Sequence, residues 1–262
     1  VYVQYFKWLF RVLQGDFGWS MSNSEPVTQA ILDRLPATLE LMGCAFTVSI
    51  VLGVVFGIVS AVRQYSWIDY LITTFAFFGQ SMPVFWFALM LQLAFSVVGI
   101  TAFGYRFSLP SAGISSLDNF DFADRVQHLI LPTIVLSLLF IASFSRFMRS
   151  SMLEVLRTDY MRTAAAKGVS RIAVILKHGL RNALIPLVTV IALSLPGLVA
   201  GAVVTETIFA WPGMGRLFYN ALQQFDFALL MGYMMMVSFL VVTFNLIADV
   251  CYALLDPRVK YT

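Results

Sequence analysis

The stretch from residue 146 to residue 181 holds the residues whose types and spacing point to a chemical task. In this stretch, called the basic loop, the acids Glu154 and Asp159 are outnumbered by eight basic residues: Arg146, Arg149, Arg157, Arg162, Lys167, Arg171, Lys177 and Arg181. Long uncharged apolar runs lie on both sides of it. Such a segment belongs in water beside a membrane, and its chemistry is that of binding a partner.

One short helix is predicted in the middle of the basic loop. Asp159 is placed to cap a helix from Tyr160 to Lys167, and Gly168 can end it in the left-handed conformation. Another protein could approach the backbone of this helix closely, which suits insertion into a partner's groove. The reason is that its middle consists of three small, strong helix formers: Ala164, Ala165 and Ala166.

Two further capping patterns are present in the basic loop. Ser151 and Glu154 have the spacing of a capping box, which predicts that a helix starts at Ser151. A second short helix is expected to begin at Ser170.

The motifs of common catalytic chemistries are missing from the chain. A phosphate-binding loop needs Gly-Lys followed by Ser or Thr, but the four lysines are followed by Trp8, Gly168, His178 and Tyr261. The chain has no H-E-x-x-H or G-x-S-x-G sequence, and its two histidines are far apart. We therefore expect a protein that is not an enzyme and that holds no cofactor or metal of its own.

Five long runs of the chain contain no charged residue. A run of about 20 apolar residues crosses the roughly 30 Å hydrocarbon core as a helix, and a soluble domain of this size would not need five. The 24 Phe and the charged fraction of 12% agree with a membrane protein. The predicted fold is all-α and polytopic, with five transmembrane helices in the runs 41–62, 70–105, 126–145, 182–205 and 227–248.

The distribution of charge predicts the orientation, because basic residues collect on the cytoplasmic side. If the basic loop is cytoplasmic, alternation of the spans also puts Arg63, Arg258 and Lys260 inside, together with the C-terminus. Eleven of the 17 basic residues are then cytoplasmic, and no nucleic-acid patch is found. The other side holds eight acids: Asp16, Glu25, Asp33, Asp118, Asp121, Asp124, Glu206 and Asp226.

Residues 1–35 are too polar to span and are predicted to be an extracytoplasmic segment. Apolar residues at helical spacing, with Lys7 and Arg11 among them, indicate a helix on the membrane surface. The transmembrane domain is expected to follow from 36 to 262. Five spans with a cytoplasmic C-terminus need an N-terminus outside, yet the chain starts at Val1 and shows no signal peptide. We therefore expect a sixth, preceding transmembrane helix in the natural protein.

Polar and kink-forming residues near the middle of the second run are candidates for a translocation path. Pro83 lacks a backbone donor and predicts a kink. Such features often line pathways, although many serve helix packing only. Glu206 either faces a cavity or caps the tight turn that follows it, and the sequence leaves both open. The candidate path residues are Gln80, Ser81, Met82, Pro83 and Glu206.

Glycine and proline positions in two other runs predict local geometry. Gly53 and Gly57 have the G-x-x-x-G spacing that allows close helix packing. Pro186 and the pair Pro196 and Gly197 predict a bend in the fourth run.

Two segments of the basic loop resemble the coupling loop of ABC importer permeases of the dipeptide, oligopeptide and nickel family. They are DYMRTAAAKG at 159–168 and KHGLRNALIP at 177–186. The broad importer pattern E-A-A, three residues, then Gly is represented by Arg162-Thr163-Ala164 and Gly168, a departure that is usual in this branch. Further pieces are similar to the family's B-type permease: Gly15-Asp16-Phe17-Gly18 with Arg34-Leu35-Pro36, Glu206-Thr207-Ile208-Phe209 with Trp211-Pro212-Gly213, and Asp256-Pro257-Arg258.

The resemblance implies a type I ABC importer permease fold that forms half of a translocation pathway for dipeptides or oligopeptides. It implies three kinds of partner besides the lipid bilayer: two ABC ATPase subunits, which would bind ATP and Mg, a second homologous permease and an extracytoplasmic binding protein. The membrane would be the cytoplasmic, or inner, membrane of a bacterium or archaeon. The residues implied in ATPase coupling are Tyr160, Arg162, Thr163, Ala164, Ala165, Ala166, Lys167 and Gly168.

Other functions remain open at this stage. Within the same architecture, nickel, glutathione or another small solute is the alternative substrate. From a different class, a secondary ion-coupled carrier would need paired intramembrane acids, and no such pair is apparent, although Asp249 could relay protons.

Overall fold

The computed structural model describes residues 2–22, 24–102, 105–116, 121–194 and 203–255. The chain divides into two compact units. The first comprises Val1–Gly43, Val84–Pro132 and Pro196–Thr243, and the second comprises Cys44–Pro83, Thr133–Leu195 and Phe244–Thr262.

The described residues are mainly helical. The α-helices are α1 (Tyr2–Leu13), α2 (Val27–Val62), α3 (Trp67–Ser81), α4 (Val84–Gln92), α5 (Phe122–Leu156), α6 (Asp159–Ala166), α7 (Arg171–Ala173), α8 (Leu180–Ser194), α9 (Val203–Ile208), α10 (Met214–Gln223) and α11 (Phe227–Leu255). Two π-helical segments, Leu93–Val98 and Val174–Gly179, continue α4 and join α7 to α8.

Within the described residues, four helices are long and apolar enough to cross a membrane: Val27–Val62, Phe122–Leu156, Arg171–Ser194 and Phe227–Val250. A broken pair, Trp67–Ser81 with Val84–Ser96, raises the number to five if it forms one span. The break lies at Met82, which has an extended backbone, and at Pro83. The polytopic helical fold and the kink predicted at Pro83 are confirmed. Of the residues that predict a bend in the fourth run, Pro186 lies inside α8, and Pro196 and Gly197 lie outside the described residues.

The helix that contains the first apolar run begins before residue 36. Helix α2 starts at Val27 and continues through Pro36, although proline removes one backbone donor. Its first turns are held by burial, since Val27, Ala30 and Ile31 are at most 1% exposed. They belong to the apolar core of the first unit, together with Met214, Leu217, Ala221, Leu229 and Tyr233.

The capping box predicted at Ser151 and Glu154 is wrong. Helix α5 runs without interruption from Phe122 to Leu156, so Ser151 lies inside a helix rather than at its start. Met148 and Met152 are fully buried one turn apart. This buried stripe continues the apolar face of α5 beyond the uncharged run and keeps the helix intact.

The packing predicted from Gly53 and Gly57 is confirmed within the second unit. A Cβ atom on Gly53 would lie 2.6 Å from Phe144 Cβ, and one on Gly57 would lie 2.5 Å from Met148 Cβ. Helices α2 and α5 therefore approach so closely that no side chain fits at either position.

A small antiparallel hairpin accompanies the helices. Strand β1 (Ile100–Ala102) pairs with β2 (Tyr105–Phe107), with Thr101 opposite Arg106. β1 and β2 are the two strands found among the described residues. They lie in the loop between α4 and α5, where the sequence has no strong repeat.

Candidate functional site

The predicted short helix of the basic loop is present as α6. It covers Asp159–Ala166, and Gly168 follows with φ +78°, the left-handed conformation expected of its cap. Ser170 then caps α7, because its side chain accepts a hydrogen bond from the amide of Ala173 at 3.4 Å.

One face of α6 is open to solvent. Thr163, Ala166, Lys167 and Gly168 are exposed, Ala164 is half-buried, and the side chain of Ala165 lies outside the described residues. Arg162 pairs with Asp159 at 3.6 Å, with both side chains more than three-quarters exposed. Such a surface pair stabilises little, so these charges remain available to a partner.

The other face of α6 is anchored to the second unit. Met161 is 4% exposed. A Cβ atom on Gly179 would lie 2.8 Å from Met152 Cε and 3.2 Å from Met161 Cε, so glycine is needed where these side chains converge. The Tyr160 hydroxyl accepts a hydrogen bond from Asn182 Nδ2 at 2.9 Å. Because α6 is joined in this way to the start of α8, a force on α6 reaches a membrane-spanning helix directly.

A cavity of about 490 Å³ lies beside α6, and its lining is mainly apolar. Val62 and Leu156 contribute to it from the ends of α2 and α5. The remaining lining residues come from the basic loop: Met161, Arg162, Val169, Arg171, Val174 and Ile175.

An ion pair that the sequence does not predict joins three helices of the second unit. Arg149 Nη2 donates to Asp69 Oδ2 at 2.8 Å, and its Nε donates to Asp69 Oδ1 at 3.0 Å and to Ser60 Oγ at 3.1 Å. Ser60 Oγ and the Tyr65 amide also donate to this carboxylate. The one available signal was Asp69 itself, a single acid between two apolar runs.

The candidate path residues at the α3–α4 break lie on the surface of the chain. Gln80, Ser81 and Pro83 are exposed and Met82 is half-buried. One turn earlier, a Cβ atom on Gly79 would collide with the side chain of Leu138 on α5. The break therefore follows a tight contact between α3 and α5.

Glu206 has no exposed surface, and its carboxylate is engaged on both oxygens. Its Oε1 accepts from Thr38 Oγ1 at 2.8 Å, and its Oε2 accepts from the amides of Gly215 at 2.7 Å and Arg216 at 3.1 Å. The Thr38 hydroxyl in turn accepts from the amide of Met214 at 2.7 Å. Within this chain Glu206 caps the start of α10, which is one of the two roles that the sequence left open.

The turn after Glu206 is built to enclose its carboxylate. A Cβ atom on Gly213 would lie 2.5 Å from both Glu206 Cδ and Thr38 Oγ1, so only glycine fits between them. The indole of Trp211 is fully buried and donates to the Ala37 carbonyl at 2.8 Å. Arg125 lies over the Trp211 ring at 5.4 Å and pairs with Glu40.

A second buried acid of the first unit, Asp226, binds the N-terminal segment through Ser20 and Ser22. Asp226 is 1% exposed and accepts hydrogen bonds from Ser20 Oγ at 2.7 Å, from Ser22 Oγ at 2.8 Å and from the Leu229 amide at 3.1 Å. Burial acts to raise the pKa of Asp226, but the hydrogen bonds from Ser20, Ser22 and Leu229 outweigh it and lower the pKa to about 2.

In the part of the chain that the structure describes, no group of three or more His, Cys, Asp or Glu side chains could hold a metal ion. Helix α6 thus combines an exposed face with an inner face held by Met161 and Tyr160.

Comparison with known proteins places these features in a family. The model of the family described as "Binding-protein-dependent transport system inner membrane component" matches residues 53–261. The oligopeptide transport system permease protein AppB of Bacillus subtilis is 45% identical over 99% of this chain and 81% of its own length. The dipeptide transport system permease protein DppB of Escherichia coli K12 is 40% identical over 98% of this chain and 80% of its own length.

Solved structures agree on the fold. A chain of the MetNI methionine ABC transporter in inward facing conformations covers 89% of this chain with a TM-score of 0.66 and 16% identity. A chain of an amino acid ABC transporter, crystallised with histidines, covers 86% with a TM-score of 0.58 and 13% identity. The two solved chains are themselves covered over 99% and 94% of their lengths, so this chain shares its fold with these ABC transporter chains.

Proposed function

Because the chain belongs to the family of binding-protein-dependent transport system inner membrane components, we propose that it is a permease subunit of an ATP-driven importer of short peptides. The names of its relatives, an oligopeptide and a dipeptide permease, favour peptides over nickel or glutathione. The observation that carries the proposal is the two-sided construction of α6, exposed toward solvent and fastened to α8 through Tyr160 and Asn182.

In this mechanism α6 sits in a cleft of an ATPase subunit on the cytoplasmic side. The contact is made by the predicted coupling residues: Tyr160, Arg162, Thr163, Ala164, Ala165, Ala166, Lys167 and Gly168. ATP and Mg bind to two separate ATPase chains, and closure of those chains displaces α6. The inner anchors, Met161 against Gly179 and Tyr160 to Asn182, pass the displacement to the spans, which alternate between inward-open and outward-open states.

The path itself is shared with a second, homologous permease. The α3–α4 break supplies Gln80, Ser81, Met82 and Pro83, whose exposure in the single chain is consistent with a surface that faces a path or a second permease. An extracytoplasmic binding protein delivers the peptide at the opposite end of the spans from α6. Glu206 supports that end by holding the α10 turn rather than by contacting the peptide.

Transport in proteoliposomes tests the proposal. The permease is co-purified with its ATPase chains, and uptake of labelled dipeptides, longer peptides and nickel is measured with the binding protein, with and without ATP. We expect ATP-dependent peptide uptake. Uptake that follows an ion gradient without ATP would instead indicate a secondary carrier.

Substitution of the exposed face of α6 tests the coupling role. Ala166→Glu adds a charge at an exposed position, so the chain should insert and fold normally. Peptide uptake should be lost, whereas the rate of ATP hydrolysis should no longer follow the rate of uptake. Gln14→Glu, an equal charge change at an exposed position after α1, is the control and should leave uptake unchanged. Normal uptake by the Ala166 variant would remove α6 from the coupling mechanism.

A further inference from the structure

A small polar cavity in the first unit carries two guanidinium groups and no acid in its lining. Its volume is about 160 Å³. Arg34 comes from α2 and Arg216 from α10, and the carboxamides of Asn220 and Gln224 and the side chain of Ser22 complete the polar wall. We name it the arginine cavity.

Among the described residues, no acid forms an ion pair with either guanidinium group of this cavity. Arg34 is half-buried, and none of the described residues accepts a hydrogen bond or forms an ion pair with its side chain. The side chain of Arg216 donates one hydrogen bond, from Nη1 to the Ala210 carbonyl at 2.6 Å, and has no acidic partner among the described residues. Guanidinium and carboxamide N–H groups are donors suited to binding a carboxylate.

Two acids lie close behind the wall, and both are already engaged. Glu206 accepts from the Arg216 amide and Asp226 accepts from Ser22, but each is buried and hydrogen-bonded within the chain. Neither lines the cavity. The exposed donors of the cavity therefore remain for an anion from outside the chain.

The volume decides what kind of carboxylate fits. Pockets that enclose a small-molecule ligand usually measure roughly 300–1,000 Å³, and the arginine cavity is well below that range. It admits one acidic side chain rather than a whole peptide. In chain order the cavity residues of α10 lie between the fourth and fifth spans, at the opposite end of α8 from α6.

We propose that the arginine cavity receives an acidic side chain of the extracytoplasmic binding protein when that protein docks on the permease. The inference rests on the proposed function. Arg34 makes the more specific contribution, because its side chain has no structural hydrogen bond to lose, whereas Arg216 also holds the Ala210 turn. Docking through such a pair is steered by charge and weakens as salt concentration rises.

Binding of the peptide-loaded binding protein to the permease–ATPase complex in nanodiscs tests the inference. The binding protein used is the one that supports peptide uptake by the wild-type complex. Arg34→Gln should weaken its affinity about tenfold and flatten the dependence on salt, Arg34→Lys should recover part of the loss, and Arg216→Gln should weaken binding as well. Arg11→Gln, which removes an equal charge from the exposed face of α1, should bind as the wild type does.

Three outcomes would overturn the inference. Equal affinity of Arg34→Gln and Arg11→Gln would show that the cavity takes no part in docking. Direct, Arg34-dependent binding of a free peptide, lost when its C-terminus is amidated and accompanied by unchanged docking, would assign the cavity to substrate instead. If the wild-type complex binds no binding protein and takes up no peptide, the proposed function fails and the inference with it.

A charge-reversed pair controls for a folding defect. Arg34→Glu, combined with an acidic residue of the binding protein changed to Lys, should restore docking.

Discussion

Arg149 Nη2 lies 2.8 Å from Asp69 Oδ2, and this contact joins the end of α5 to the start of α3 across 80 residues of sequence. The Asp69 side chain is 3% exposed and that of Arg149 is 30% exposed. The carboxylate thus depends on one arginine, on Ser60 and on the Tyr65 amide for its solvation.

Arg149→Ala should destabilise the chain because it leaves the buried carboxylate of Asp69 without its cation. We expect a loss of about 2 kcal/mol, at the low end for a buried pair since Arg149 is partly exposed. The double variant Asp69→Ala with Arg149→Ala should be more stable than Arg149→Ala alone. Thermal unfolding of the purified chain in detergent measures both, and additive losses would argue against coupling.

Gly57→Val should separate α2 from α5, because a side chain at Gly57 would collide with Met148 and with the Ser145 carbonyl. We expect a lower unfolding temperature and a loss of about 2 kcal/mol or more from overpacking. Gly43→Ala is the matched control on the same helix, since a Cβ atom there meets no other atom within 4 Å. The control should be neutral or slightly stabilising in the same thermal scan.

Glu206→Gln should weaken the turn that begins α10. The substitution removes the negative charge that accepts from the Gly215 and Arg216 amides, and hydrogen bonds to a charged acceptor are each worth about 1.5–3 kcal/mol. We expect a loss in that range by chemical unfolding. Asp159→Asn, at a carboxylate that is 96% exposed, should change stability by less than about 1 kcal/mol.

Asp226 should make the N-terminal segment sensitive to acid. Its pKa is lowered to about 2 in the folded chain and is about 4 in an unfolded one, so its stabilising contribution is complete above about pH 4 and is lost as the pH falls toward 2. Pepsin digestion between pH 2 and pH 5 should release residues around Ser20 increasingly at the acid end. Cleavage of an unrelated substrate at each pH corrects for the pH dependence of pepsin itself. After this correction, Asp226→Asn should be cleaved to a similar extent across that range.

Impermeant thiol labelling tests the orientation predicted from the basic residues. In a background without Cys44 and Cys251, Lys167→Cys should react only when the cytoplasmic face is accessible, and Gln14→Cys only from the other side. Both positions carry exposed side chains outside the spans, and Lys167 follows α6 directly. The reverse pattern would invert the topology.

The sequence was sufficient for features that depend on composition or on local conformation. The charge-free runs predicted the spans, Asp159 and Gly168 bounded α6, and Pro83 marked the break, because each signal acts over one or two turns of chain.

Features that depend on tertiary contacts were not predictable in the same way. Ser151 and Glu154 have a capping pattern, but the burial of Met148 and Met152 keeps α5 helical through it. The start of α2 at Val27 and the pair of Asp69 with Arg149 also depend on partners distant in sequence. No local pattern encodes such a partner.

The bond between Thr38 and Glu206 has a consequence for biosynthesis. The two residues are 168 positions apart, and the chain is synthesised from its N-terminus. Thr38 is therefore synthesised and inserted long before Glu206, whose carboxylate accepts its hydrogen bond. Until then its hydroxyl lacks both the Glu206 acceptor and the Met214 amide. These hydrogen bonds of Thr38 therefore form late in translation, and a chain that ends before Glu206 cannot make them.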